Sequence, residues 1–111
     1  MTNIYSTCRA VAAMLMTGLP VIGTAQEIGD PERGRDFAAT MCADCHSVGE
    51  DDTPSPNQDA PSFKSVAEMP STTRTALVVW FQSSHPTMPN LVLNQDEKDD
   101  VIAYILSLKP Q

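Results

Sequence analysis

From residue 30 to the C-terminus, apolar positions recur at helical spacing, and polar or proline-rich stretches separate them. Asp30-Pro31-Glu32 reads as a helix start. Asp30 offers a capping oxygen, Pro31 fills a first-turn position whose N–H has no intrahelical partner, and Glu32 puts negative charge at the positive end of the helix. The helix is expected to run through Phe37 to about Met41. Gly34 and Ala38, both small, form a notch on one face where another helix can approach closely. From Val48 to Pro61 the chain turns polar, with Glu50-Asp51-Asp52 followed by Pro54, Pro56, Asn57 and Asp59, and this is loop. Its charge run reads as a solvated surface. Ser71 or Thr72 is expected to cap a helix over about Thr73 to Ser83, where Leu77, Trp80 and Phe81 recur at three- and four-residue spacing. Val78 to Phe81 is also strand-like, but no second such segment offers it a partner. A last helix should start at Asn94, three residues before Glu97 in a capping-box arrangement. Val101, Tyr104, Ile105 and Leu108 give it an apolar stripe, and Pro110 stops it. Repeats and low-complexity tracts are absent, and the pattern is all-α.

The first part of the chain has a different pattern. Arg9 precedes an apolar run from Ala10 to Ile22, and small residues Gly23 and Ala25 stand before a polar switch. This is an export signal, with cleavage expected after Ala25, so that 1–25 is a signal peptide and 26–111 one mature domain. A membrane anchor is the alternative, but the run is broken by Gly18 and Pro20 and falls short of the roughly 20 residues that span a bilayer. The expected location is the periplasm. Cys8 has no short aliphatic run before it of the kind that marks lipid attachment, and it leaves with the signal.

Removing the signal takes away Arg9 but none of the 14 acidic residues, which leaves a formal charge of about −8. Nucleic acid and anionic membranes are poor partners for such a surface. A redox protein with a basic patch, or one docking through an apolar collar, suits it better; simple solubility is the plainer account of the charge.

Of three cysteines the mature chain keeps two, in Cys42-Ala43-Asp44-Cys45-His46. C-x-x-C-H is the spacing for attachment of a c-type haem. Two thiols form thioethers with the haem vinyl groups, and the adjacent His presents an imidazole nitrogen to the iron. A thiol–disulfide motif expects a βαβ setting, and a structural zinc site expects a second pair of ligands. This chain has neither. No cysteine remains for a disulfide, so a covalently held macrocycle would supply the apolar centre that a domain this small struggles to build alone.

With this motif near the front of the mature chain, a helix at each end and a late Met-Pro, residues 26–111 resemble the class I c-type cytochromes. The resemblance implies a cytochrome c-like fold of three or more helices around one covalently attached haem c. It implies that the first and last helices cross at Gly34, with Phe37 packed against Tyr104. It also makes Met88, in Met88-Pro89, the second axial ligand opposite His46. Met69-Pro70 carries the same dipeptide but lies 23 residues after His46, early for this family, and Met41 adjoins the attachment site too closely to reach the opposite face. His85 would make a bis-histidine site only if its Pro-bracketed loop shifted by nearly a turn. Pro61, in Ala60-Pro61-Ser62-Phe63 where relatives commonly have Gly-Pro, is expected to accept the other ring N–H of His46 through its carbonyl and so orient the imidazole. Trp80 is expected in the core, with a haem propionate as the alternative contact for its indole N–H.

The function that follows is one-electron transfer between a dehydrogenase or respiratory complex and an acceptor, with both axial sites filled and no substrate pocket. No catalytic set and no phosphate loop is visible, so an enzyme is not expected. The alternatives are a haem protein with an exchangeable sixth ligand, a gas sensor or small peroxidase, and an electron-transfer subunit of a larger oxidoreductase.

Overall fold

The computed structural model describes residues 28–83, 88 and 91–110, and among these the regular secondary structure is entirely α-helix. Four helices follow in order: α1 (Pro31–Met41), α2 (Phe63–Glu68), α3 (Arg74–Gln82) and α4 (Gln95–Ser107). The signal segment, His85 and Pro89 lie outside the described residues.

The caps are local chemistry legible in the sequence. Asp30 accepts from the backbone N–H groups of Glu32 and Arg33, and Pro31 opens α1. Asn94 and Glu97 form a reciprocal capping box at the head of α4. At α3 the cap is Thr73, one or two residues later than expected, its side chain accepting from the N–H of Ala76. Thr72 is engaged elsewhere: it is buried, and its hydroxyl donates to the Val66 carbonyl at 2.6 Å. The six-residue α2, capped by Ser62, has no counterpart in the sequence reading.

Helix α4 is the hub. Among the described residues α1, α2 and α3 each pack on α4, and no two of them pack on one another. The crossing with α1 is close because Gly34 has no side chain. A Cβ there would lie 2.0 Å from the Asp100 carbonyl oxygen and 2.9 Å from Tyr104 Cβ. Val101 and Ile102 are the largest fully buried side chains, and Ala38, Phe63, Ala67, Leu77, Tyr104 and Ile105 complete the core with Cys42. The buried face of α4 is wider than the expected stripe, taking in Ile102, Ala103 and even Asp100.

Asp100 is tolerated there because its carboxylate is fully engaged. Its Oδ1 accepts from the Asp30 N–H at 2.7 Å and from Arg33 Nη2 at 3.2 Å, and its Oδ2 pairs with Arg33 Nε at 3.1 Å. Phe37 is partly buried against the core cluster that contains Tyr104, and a second ring, Phe63, lies beside Tyr104 at 6.5 Å between centroids. One expectation needs correction. Trp80 is not a core residue: it is 58 % exposed.

Candidate haem site

Helix α1 delivers the attachment motif to the centre of the molecule. It ends at Met41, and the Cys42 carbonyl then accepts from the N–H groups of both Cys45 and His46, at 3.1 and 2.9 Å. One tight turn therefore holds both sulfurs and the imidazole at the wall of a single cavity of about 290 Å³. The polar loop is tied back onto this turn. Asn57 N–H donates to the Cys45 carbonyl, Ser47 N–H to the Ser55 hydroxyl, and Phe63 N–H to the Ser47 carbonyl.

That loop brings Pro61 to His46, whose Nδ1 lies 2.7 Å from the Pro61 carbonyl oxygen. A carbonyl can only accept, so Nδ1 carries the proton and Nε2, on the other side of the ring, keeps its lone pair. Phe63 fixes the ring from another direction, tilted against it at 5.5 Å between centroids.

The cavity is apolar at depth. Phe63, Leu77 and Ile105 are buried side chains of its lining, while Met41 and Trp80, both about half exposed, stand at its mouth. Met88 lines the same cavity, whereas Met69 caps the end of α2 and lies outside the lining. Burial, and then the neighbouring Cys45, push the Cys42 thiol up to about 11. Surroundings that disfavour a thiolate suit a neutral thioether sulfur. Among the described residues no cluster of three or more His, Cys, Asp or Glu is placed to hold a metal ion by itself. Two neutral sulfurs, an imidazole with a free Nε2, a thioether and apolar walls are the donor set and surroundings that fit a haem.

Residues 31–109 match the cytochrome c family. The chain belongs to that family. Over 81 residues it is 38 % identical to cytochrome c-552 of Bradyrhizobium diazoefficiens, covering 73 % of this chain and 77 % of the relative. No solved structure matches it significantly. This cytochrome is thus a haem-based electron carrier and not an enzyme, with one covalently bound haem c and other redox proteins as its partners.

The sequence reading missed Phe63, Leu77 and Ile105 as cavity residues, and its assignment of Trp80 to the core was wrong. Only helical spacing signalled Leu77 and Ile105, and that spacing does not distinguish a face turned to a cofactor from one turned to another helix; Phe63, at the start of the six-residue α2, had no such signal. No described helix is long and apolar enough to cross a membrane.

Proposed function

We propose that this cytochrome is a periplasmic one-electron carrier in which Cys42 and Cys45 hold the haem as thioethers and His46 and Met88 are the axial ligands. The observation that carries this reading is the His46 Nδ1 to Pro61 carbonyl bond at 2.7 Å, which leaves Nε2 as the one imidazole nitrogen able to ligate. Met88 is favoured over Met69 as the second ligand because it alone of the two lines the cavity. When bound, the haem supplies one-electron chemistry at an iron with no open coordination site.

The rest is done by side chains. The Pro61 carbonyl holds the imidazole's orientation and raises its basicity, and Phe63, Leu77 and Ile105 keep water from the centre. The thioether of Met88 favours the reduced state relative to a second imidazole. Residues 1–25 act as a signal peptide cleaved after Ala25, and the acidic mature surface steers a partner with a basic patch.

Two methionine variants of the exported holoprotein test the ligand. Met88→Ala should abolish the far-red sulfur-to-iron band of the ferric protein, lower the potential and admit carbon monoxide to the ferrous form. Met69→Ala should change none of these. A larger loss in Met69→Ala, or rapid carbon monoxide binding by the wild type, overturns the reading.

A further inference from the structure

We infer that Arg74 is a positioning residue for the haem cleft: with Ile28 and Asp99 it latches the α3 wall onto α4, and so keeps the Met88 side of the cavity shut. The inference rests on the proposed Met88 ligation for its ligand readout, but the latch itself stands on contacts between protein groups.

Helix α3 supplies Leu77, Trp80 and Phe81 to the cavity, yet it is lightly attached. Among the described helices it packs on α4 alone, and Leu77 is its one buried residue. Val79 and Trp80 are more than half exposed. Polar ties at its N-terminal end must therefore carry much of its docking. Arg74, the first residue of α3, donates from one guanidinium nitrogen to the Asp99 carboxylate and from the other to the Ile28 carbonyl at 2.8 Å. The side chains of this ion pair are only 29 % and 17 % exposed, so water screens them less than a rim pair.

The Ile28 carbonyl is brought there by a built feature. Gly29 adopts a φ of +95°, and a Cβ on it would lie 2.1 Å from the Asp99 carbonyl oxygen. Only glycine lets the segment ahead of α1 lie flat on the α4 backbone, and the next residue, Asp30, locks it there by donating its N–H to Asp100. One guanidinium thus joins the segment before α1, the first turn of α3 and the middle of α4. Lys109 adds a second tie by donating to the Thr72 carbonyl just before α3. Both ties hold the end of α3 far from the segment that leads to Met88. Loosening that end lets the helix swing as a unit, taking its cavity residues with it.

The test uses the holoprotein and two readouts. Losing a part-buried, charge-assisted pair should raise the population of the swung-out state on the order of ten-fold. Arg74→Ala should therefore bind carbon monoxide in the ferrous form about ten-fold faster than wild type, with faster amide exchange in α3 and unchanged exchange in α1. Arg33→Ala removes the ion pair with Asp100 at the α1–α4 crossing, whose cationic partner is 68 % exposed, and should leave the carbon monoxide rate within about two-fold of wild type. If Arg74→Ala also stays within about two-fold, or if Arg33→Ala speeds binding as much, the latch is refuted and the effect is general stability. Should Arg74→Ala not accumulate as holoprotein, Asp99→Asn is judged by the same limits. If Met88→Ala binds carbon monoxide no faster than wild type, the ligand assignment fails by itself. Amide exchange in α3 then decides the latch alone.

Discussion

The α1–α4 crossing can be broken by one methyl group. In Gly34→Ala the new Cβ would stand 2.0 Å from the Asp100 carbonyl oxygen, 2.5 Å from its carbon and 2.9 Å from Tyr104 Cβ. The two nearest atoms are α4 backbone, so no side-chain rotation relieves the clash, and the helices must separate by roughly 1 Å or more at their tightest point. Overpacking of this kind costs about 3 kcal/mol at the upper end of its usual range, and the better helix propensity of alanine returns about 1 kcal/mol. The net loss of about 2 kcal/mol should lower the melting temperature by roughly 8–16 °C in a domain of this size. Thermal unfolding of the holoprotein followed by far-ultraviolet circular dichroism reads this directly. Gly49→Ala is the control, since its Cβ would meet nothing closer than 3.9 Å, and it should melt near the wild type. A Gly34→Ala protein melting within about 2 °C of wild type would refute the close-crossing argument.

Tyr104 is the one tyrosine of residues 26–111, and burial, followed by the charge of Glu50, holds its phenol above the ordinary tyrosine range, with Arg35 opposing. The folded value is the raised one, so stability is intact below the unfolded value of about 10 and falls as pH climbs from there through the folded value. Ultraviolet titration of the processed protein should show phenolate appearing late and together with unfolding; early, reversible ionisation in the folded state would contradict it. Electron transfer to a basic partner should slow sharply as salt rises toward physiological strength, where the screening length is about 8 Å. A stopped-flow rate independent of salt would leave the acidic surface a matter of solubility.

What the sequence disclosed, and what it hid, divides along physical lines. The starts of α1 and α4 were legible because capping is contained within four residues: Asp30 with Pro31, Asn94 with Glu97. The attachment turn was legible because its chemistry demands fixed spacing. Helix α2 was not, since six residues are too few to display a period. Among Ser71, Thr72 and Thr73 any hydroxyl could cap α3. The choice fell to Thr73 because Thr72 is drawn inward to the Val66 carbonyl, a tertiary contact no local pattern reports. Trp80 was assigned to the core for the same reason: an apolar face meant for a cofactor is written like one meant for protein. The bond between His46 and Pro61 came from a family resemblance, and the geometry of the loop accounts for it independently.

The dependence of every other helix on α4 also orders events in time. Because, among the described residues, α1, α2 and α3 have no helical partner except α4, a nascent chain that has not yet reached Gln95 has none of these helix pairs to assemble, however much of it has left the ribosome. The first helix must wait for the last, across a long and entropically costly loop closure. Such a chain emerges slack, which would suit the export proposed above, since the thiols of Cys42 and Cys45 would still be open to haem attachment. It becomes a folded protein only once its final turns have arrived.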